Sequence, residues 1–394
     1  MSAVPDRPVV TVIDESSFAK LGDEWDDLLA HSVAPTVFLT WTWVSSWRAT
    51  VGKDLQLLIA TARRPTDGLL LGIAPMAIER RIDGRVLRYR ALQFIGGHAA
   101  AADHLDLIVR TGQEGVAAPL WAAITEVDEW DVFALDGLRP DSLVATLIGR
   151  NPGYRDRHSD RTVCPVLSLP NSWEEYEAML GRNLRRNLRR STRNLEKESG
   201  EKVTLGTVAR IEDVDKTIQY LAMLHQAASF AGGAKSTFVH DIVEFHRLVA
   251  ARLFDLGMLR LYHLDVGTHI GAVEYCFSFA GVVSSYQGGY DRRWRRHGPG
   301  RLITAHAIRA AIEEGAHSFD FLRGDEAYKD DWRAQPVYDE RIWMPASPLG
   351  RVVVPLRFAA RTFARQLTTD AGGNGYMAPV RRAGTRGLEL LRRP

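Results

Sequence analysis

The sequence predicts an α/β fold built from two similar units in tandem. Segments 55–78 and 259–277 each have the pattern of a strand, a short polar turn and a second strand that opens near a glycine, Gly72 or Gly271. Helical segments precede both copies, at 17–30 and 40–50 and again at 211–230 and 239–257. A spacing of about 200 residues indicates duplication of a whole unit rather than a short-period repeat.

Composition sets the broad class. The chain has 394 residues, 45% hydrophobic and 25% charged, which suits two domains of roughly 150 residues each. A net charge of +2 excludes a strongly basic nucleic-acid coat protein. Cys164 and Cys276 stand alone in sequence, so we expect neither a disulfide framework nor a metal site, and we expect a cytoplasmic location. The N-terminus lacks a signal-peptide pattern, and no apolar run approaches membrane-spanning length.

The most informative stretch is YQGGYDRRWRRHGPGRL at 286–302. It predicts the end of a strand, a glycine-containing turn, and a helix at roughly 302–314. Arg295, Gly298 and Gly300 form the pattern R-x-x-G-x-G within the turn. Such a turn directs backbone amides and a helix N-terminus at one point, which suits a phosphate or pyrophosphate. The glycines allow close approach of the main chain, and the arginines add charge.

The equivalent region of the first copy lacks this pattern. The string LQFIGGHAAAADHLDLIV retains Gly96 and Gly97 but continues into another strand. We therefore expect the second unit to hold a cofactor and the first to act as a scaffold or substrate wall.

Candidate catalytic residues lie on strands near this turn. Acyl transfer needs a base, an oxyanion donor and an acid for the leaving group. Glu274 lies on an apolar strand face that would raise its pKa, and Asp320 lies on a short strand, Ser318–Leu322, so either can be the base. Tyr328 is the candidate acid, on a helix that Asp325 would cap. The alternatives are an ion-paired buried Glu274, a capping or ion-paired Asp320, and a half-buried core aromatic at Tyr328.

Two basic segments lie outside this region. Segment 182–200, RNLRRNLRRSTRNLEKESG, predicts an amphipathic helix with a leucine stripe, a basic face and a stop at Gly200. The stripe consists of Leu184, Leu188 and Leu195, and the basic face of Arg182, Arg185, Arg186, Arg189, Arg190, Arg193 and Lys197. The segment from Ala346 onward carries a net charge of +7. It predicts either a packed C-terminal helix with a solvated face or a helix on an anionic membrane surface.

Several strings resemble a known family. In 178–345 these are LRRNLRRSTRNLE, IGAVEYCF, YQGGYDRRWRRHGPG and FDFLRGDEAYKDDW; in the first half they are FLTWTWVSSW, GIAPM and DHLDLIV. Together they resemble the GNAT-superfamily acetyltransferases associated with cellulose and exopolysaccharide synthesis (the CelD type), relatives of the tandem-GNAT Fem peptidyltransferases.

The resemblance implies two tandem GNAT-like units, each a mixed, mostly antiparallel sheet flanked by helices. Their expected bounds are 1–170, without a coenzyme loop, and 171–345, with one, followed by a basic tail at 346–394. Acyl-coenzyme A, such as acetyl-CoA, would be the co-substrate. Tyr328 would protonate the thiolate. The implied coenzyme-binding residues are Gln287, Gly288, Gly289 and Tyr290 along the pantetheine, and Arg295, Arg296, His297, Gly298, Pro299, Gly300 and Arg301 around the pyrophosphate.

One position departs from the expected loop. Pro299 lies between the two glycines and has no amide hydrogen to donate, so we expect the loop to make one anion contact fewer or to bind in a shifted register.

The predicted function is acyl transfer to a sugar, a polysaccharide precursor or an amino compound in a ternary complex. One alternative is a Fem-like enzyme that uses aminoacyl-tRNA, with the basic helix contacting RNA phosphates. Another is a non-catalytic scaffold in polysaccharide synthesis that contacts the membrane through its cationic tail.

Overall fold

A computed structural model of the protein describes residues 7–83, 86–232 and 240–369. Within these ranges the chain forms two compact units, one comprising 7–161 and 339–369 and the other 162–338. Each unit contains a mixed sheet with helices packed on it. The predicted α/β class and the tandem arrangement are confirmed.

The first unit begins with β1 and three helices before its sheet is completed. Its elements are β1 (Val9–Ile13), α1 (Glu15–Phe18), α2 (Gly22–Ala30), α3 (Trp41–Ala49), β2 (Gln56–Arg63), β3 (Leu70–Asp83), β4 (Leu87–Phe94), β5 (Ile108–Val109), α4 (Ala117–Thr125), β6 (Val132–Leu138) and α5 (Leu143–Arg150). Strand β7 (His158–Ser168) then leads the chain into the second unit.

The second unit repeats the order of one strand, helices and a run of strands. Its elements are α6 (Trp173–Met179), α7 (Arg182–Ser199), β8 (Val203–Thr207), α8 (Ile211–Gly232), α9 (His240–Asp255), β9 (Leu259–Val266), β10 (His269–Phe279), β11 (Val282–Tyr290), α10 (Pro299–Glu313) and β12 (Ser318–Asp320). Strand β13 (Gln335–Pro345) returns the chain to the first unit, which ends in α11 (Gly350–Thr369).

The two sheets have the same strand order. It is β1-β2-β3-β4-β6 in the first unit and β8-β9-β10-β11-β12 in the second. Neighbouring strands are antiparallel in both series except β4–β6 and β11–β12, which are parallel. A parallel pair requires a crossover connection, and the crossovers contain α4 and α10 respectively. The duplication predicted from the sequence is therefore present at the level of topology.

The unit boundaries differ from the predicted ones at 170/171 and 345/346. Residues Val166–Ser168 of β7 pair with β12, which places this strand in the second sheet. Residues Glu340–Pro345 of β13 pair with β6, which places them in the first. Strands β7 and β13 thus each pair with a strand that is remote in sequence, and periodicity within a segment does not reveal such pairing.

The described part of the expected tail is a packed helix. Val353 and Val354 of α11 are buried in a cluster with Trp343 and Tyr89. Arg357 Nη1 donates to Asp83 Oδ2 at 2.8 Å. These contacts confirm the packed-helix prediction for 350–359. The predicted tail beyond 369 lies outside the described residues.

The core of the second unit lies between its sheet and α10. Leu302, Ile303 and Ile308 of α10 are buried against strand residues such as Ala272 and Cys276. Helix α7 covers α10 with Leu184 and Leu195, which are buried, and Leu188, which is half-buried. Helix α7 ends at Gly200, whose left-handed φ of 72° forms the predicted stop. The predicted leucine stripe and arginine face are thereby confirmed.

Candidate functional site

The pairing between strands β11 and β12 ends part-way along β11, because β12 ends at Asp320. They pair in parallel only from Val282–Ser318 to Ser284–Asp320. Strand β11 then continues to Tyr290, and in the described residues its last part pairs only with β10. Six residues of strand extend about 20 Å. One edge of residues 285–290 therefore has no strand partner among the described residues, and an extended ligand could pair with it; we call this unpaired edge the opening.

The opening leads to the N-terminus of α10. Asp291 caps a 3₁₀ helix at Arg292–His297 by accepting a hydrogen bond from the Arg293 amide. Gly298 follows with a left-handed φ of 62°, and Pro299 is the first residue of α10. Helix α10 thus begins three residues earlier than predicted, because Pro299 fits the first helical position, where no intrahelical acceptor exists for an amide.

Two amides of the loop remain available for a ligand. The Gly298 amide donates to Arg295 O and the Leu302 amide to Gly298 O. Pro299 has no amide hydrogen, whereas Gly300 and Arg301 lie in the first turn, whose amides have no intrahelical acceptor. The helix dipole adds positive potential at the same place. This arrangement suits a single phosphate group of a larger anion.

Most of the basic side chains at this turn have carboxylate partners. Arg296 and His297 both contact Glu198 of α7, with His297 Nε2 at 2.9 Å from Oε2. These contacts lower the pKa of Glu198. Arg301 pairs with Asp331 at 3.0 Å. His297 does not lie on the loop surface: its side chain is 9% exposed and joins the loop to α7.

The two glycines of β11 allow close packing on opposite faces of the sheet. A Cβ at Gly288 would lie 2.9 Å from Glu274 Oε2, and a Cβ at Gly289 would lie 3.0 Å from Leu221 Cδ1 of α8. The Tyr290 ring lies beside Gly300, where a Cβ would make an ordinary contact at 3.4 Å. The end of β11 therefore connects Glu274 to the start of α10.

Glu274 is buried on the face of β10 that packs against α10. Its residue exposure is 6%, and burial raises its pKa to about 7. Ser285 Oγ donates to Oε1 at 2.5 Å, and Thr304 Oγ1 lies 3.4 Å from Oε2. These hydroxyls and the positive charge of Lys329 lower the pKa and partly oppose the effect of burial. A carboxyl group with a pKa near 7 is suited to act as a general base.

Tyr328 packs against the same core from a 3₁₀ helix at Ala327–Trp332. Burial raises its pKa, and the charges of Glu274 and Glu326 raise it further. The phenol therefore keeps its proton at neutral pH. This state is the one required of an acid that protonates a leaving group.

Lys329 stabilises the backbone next to this tyrosine. Its side chain is 6% exposed, and Nζ donates to Phe321 O at 3.2 Å and to Leu322 O at 3.4 Å. It also pairs with Glu326 at 3.0 Å. Leu322 has a left-handed φ of 52°, so this buried ammonium group holds a strained turn at the end of β12.

Asp320 bonds to the backbone of a turn, whereas Asp325 does not cap a helix. Asp320 is 4% exposed, and its Oδ1 accepts from the Leu322 amide at 2.8 Å, so it supports the same turn. Asp325 does not cap the following helix, because the N-cap residue is Glu326 and no side chain there bonds to the backbone. The capping prediction for Asp325 is wrong.

The corresponding region of the first unit is filled. Trp43 Nε1 donates to Gly96 O at 3.2 Å, and a Cβ at Gly96 would lie 2.8 Å from the Trp43 ring. The Leu105 amide donates to Gly137 O of β6 at 2.7 Å. Protein groups thus occupy the positions beyond the parallel pair of β4 and β6.

Three polar residues of the site were not found by sequence reasoning. Ser285, Thr304 and Lys329 contact Glu274 or the turn beside it. Serine and threonine are common on strands and helices, so their types gave no signal. The contact of Ser285 with Glu274 depends on a β-bulge. Tyr275 pairs with Gln287 and Cys276 pairs with Ser285, so Tyr286 is the additional residue on β11.

One known family matches most of the second unit. Residues 182–330 match the family described as "Acetyltransferase (GNAT) domain". Residues 182–330 are therefore similar to a GNAT acetyltransferase domain, and the protein is a transferase. No curated protein sequence matches this chain.

Solved structures share the fold over most of the chain. FemX is 12% identical, with a TM-score of 0.59 over 88% of this chain and 99% of that one. A protein of unknown function from Bacteroides thetaiotaomicron VPI-5482 is 11% identical, with a TM-score of 0.52 over 86% of this chain and all of that one. The C-terminal domain of a putative lysylphosphatidylglycerol synthetase from Agrobacterium fabrum is 12% identical, with a TM-score of 0.50 over 86% and 95%. At these identities the likeness concerns the fold.

Proposed function

We propose that the protein transfers an acyl group from acyl-coenzyme A, such as acetyl-CoA, to an amine or hydroxyl acceptor within a ternary complex. The observation that carries this proposal is the opening between β11 and β12, which leads from Glu274 to the N-terminus of α10. The unpaired edge of β11 and the two amides at its end suit a pantetheine arm followed by a pyrophosphate.

The residues present fit the coenzyme along this path. The Gly300 and Arg301 amides would receive the pyrophosphate, with Arg295 and Arg296 adding charge. Gln287, Gly288, Gly289 and Tyr290 would lie along the pantetheine. His297, Gly298 and Pro299 shape the turn and do not donate hydrogen bonds to the coenzyme. The bound coenzyme supplies a thioester, which is activated for transfer of its acyl group.

The protein supplies a base and an acid. We assign Glu274 as the base, because it is ionised to a useful extent at neutral pH and lies beside the opening. We assign Tyr328 as the acid that protonates the departing sulfur. Asp320 is then a structural residue that holds the turn at Leu322.

Ligand-dependent stability tests this proposal. At 100 times its dissociation constant, a ligand that binds only the native state adds about 2.7 kcal/mol of stability. We expect such a stabilisation with acetyl-, malonyl- or a longer acyl-CoA, and we expect Arg295→Ala and Gly298→Asp to reduce it strongly. Gly315→Asp is a matched control, because Gly315 ends the same helix with a φ of 78° and open space around it. Stabilisation that persists in both loop variants would contradict the proposal.

The Fem-like alternative donor is aminoacyl-tRNA, and helix α7 supports it. Its arginines line a groove of about 350 Å³: Arg182, Arg185, Arg186, Arg189, Arg190 and Arg193. Because neutralised phosphates release counterions, tRNA binding there would weaken steeply with salt. Two results together would favour this donor. One is salt-sensitive tRNA binding that is lost in the double variant Arg186→Glu, Arg190→Glu, and the other is the absence of stabilisation by any acyl-CoA.

The proposed acceptor rests on the family resemblance, and the proposed location rests on the two lone cysteines. We propose a sugar, a glycan precursor of exopolysaccharide or an amino compound as the acceptor, and a cytoplasmic location. No helix in the described ranges is long and apolar enough to cross a membrane. Helix α11 exposes Val352 and Leu356, at 51% and 57%, next to the exposed Arg351. This stripe supports peripheral membrane contact, which co-sedimentation with anionic vesicles would test.

A further inference from the structure

Glu274 is enclosed on both sides of its carboxylate. Ser285 Oγ donates to Oε1 at 2.5 Å, and Thr304 Oγ1 lies 3.4 Å from Oε2. The backbone of Gly288 approaches Oε2 so closely that a Cβ there would lie 2.9 Å away. With a residue exposure of 6%, Glu274 offers almost no surface to an acceptor molecule. A base in this position needs an intermediary.

Ser285 has the position that an intermediary requires. It is only half-buried, and it lies on β11 directly after Ser284, the last residue of that strand to pair with β12. The bulge at Tyr286 pairs Ser285 with Cys276, so its side chain shares a face of the sheet with Glu274 two residues away. The hydroxyl therefore contacts Glu274 at the point where the opening begins.

Thr304 is not suited to the same task. It is 3% exposed, and its single hydroxyl hydrogen already has a closer acceptor in Gly300 O at 2.9 Å. Thr304 lowers the pKa of Glu274, but its hydroxyl is buried and cannot reach an acceptor molecule. Ser285, which is only half-buried, can exchange a proton with the exterior.

We propose that Ser285 is a catalytic residue that passes the acceptor's proton to Glu274, an inference that rests on the proposed acyl transfer. As the acceptor nitrogen or oxygen forms its bond to the thioester carbonyl carbon, its proton moves to Ser285 Oγ and the Ser285 proton moves to Glu274 Oε1. The carbon–sulfur bond then breaks, its electron pair leaves with sulfur, and sulfur takes the Tyr328 proton. Glu274 and Tyr328 regain their resting states by proton exchange with solvent.

The pH dependence of this step involves every polar group around Glu274. Ser285 and Thr304 contact the carboxylate from β11 and α10, and Lys329 adds positive charge from the 3₁₀ helix. Tyr328, Tyr262 and Cys276 face it as neutral groups with raised pKa values. Because the Ser285 hydrogen bond lowers the pKa of Glu274, loss of that hydroxyl should move the acid limb of the pH–rate profile upward from pH 7.

The test is acetyl-CoA hydrolysis, in which water replaces the acceptor, measured by release of free thiol between pH 5.5 and 9. We expect Ser285→Ala to lower kcat about a hundredfold, to move the acid limb upward, and to retain stabilisation by acetyl-CoA. Ser285→Thr should recover most of the rate, because it keeps a hydroxyl. Ser284→Ala is the matched control on the opposite face and should hydrolyse acetyl-CoA as the wild type does.

Two results would overturn the relay alone. One is wild-type kcat in Ser285→Ala, and the other is an acetyl group found on Ser285 by mass spectrometry, which would make it a nucleophile. A wild-type protein that is not stabilised by acetyl-CoA would instead overturn the proposed function and the relay together.

Discussion

Gly288 and Glu274 are packed so closely that their positions depend on each other. A Cβ at Gly288 would lie 2.9 Å from Glu274 Oε2, while consecutive Gly289 faces Leu221 on the other side of the sheet. The glycine therefore sets the place of the carboxylate beneath the end of β11. A Cβ at position 288 would meet the end of the flexible Glu274 side chain. The carboxylate can therefore move aside without unfolding of the strand.

Gly288→Ala should therefore lower activity more than stability. Displacement of the carboxylate by about 1 Å can reduce turnover on the order of a hundredfold. We expect the acetyl-CoA hydrolysis rate to fall by at least tenfold, with an unfolding free energy close to that of the wild type. Gly115→Ala is the control, since a Cβ there meets open space. An unchanged rate in Gly288→Ala would show that the position of Glu274 is not critical.

Glu274→Gln should stabilise the protein at high pH. The normal pKa of 4.5 rises to about 7 in the folded chain, so ionisation of Glu274 opposes folding. This cost is absent below pH 4.5, grows as the pH rises, and is complete above pH 7, where it reaches about 3 kcal/mol. Urea unfolding should show the variant as more stable at pH 8 and similar to the wild type at pH 4.5. Equal stability at pH 8 would mean that the buried carboxylate is better solvated than its surroundings indicate.

Glu198→Ala should weaken coenzyme binding, although Glu198 itself would not contact the coenzyme. Glu198 joins Arg296 and His297 to α7, so its loss frees the turn before α10. We expect the loss of these solvent-exposed contacts to raise the dissociation constant for coenzyme A by roughly twofold to fivefold. Glu177→Ala is the control, because Glu177 pairs with Arg189 elsewhere on α7. Isothermal titration with coenzyme A measures both, and identical affinities would exclude a role for the Glu198 contacts.

Lys329→Met should destabilise the second unit. The change leaves the carbonyls of Phe321 and Leu322 without their buried donor. A loss of this kind costs about 3 kcal/mol. Urea unfolding of the variant should show this loss of stability. Lys216→Met is the control, because Lys216 forms an exposed ion pair with Asp213, and we expect it to lower the unfolding free energy by less than about 0.5 kcal/mol. If Lys329→Met lowered the unfolding free energy no more than Lys216→Met does, the turn at Leu322 would be stable without the lysine.

The sequence predicted those parts of the fold that depend on local pattern. The leucines of α7, the Gly200 stop and the strand pairs of both copies all follow from periodicity and glycine placement. The exchanged strands β7 and β13 could not be predicted, because each pairs with residues far away in sequence. Val166 pairs with Asp320, and Ile342 pairs with Leu135.

The site was predicted in outline but not in its contacts. Burial of Glu274 and a helix after the glycine turn follow from the apolar strand and the glycines, although the helix begins three residues earlier than predicted. The partner of His297 did not follow, because Glu198 lies on a separate helix about 100 residues earlier in the chain. Ser285 faces Glu274 only because of a bulge at Tyr286, which no residue type in the segment signals.

The most direct test of the central claim is a crystal structure of the full chain with acetyl-CoA. The account predicts the pyrophosphate within hydrogen-bonding distance of the Gly300 and Arg301 amides, the pantetheine beside residues 285–290, and the thioester near Ser285. A coenzyme bound in the first unit, or one whose pyrophosphate lies away from the start of α10, would contradict it.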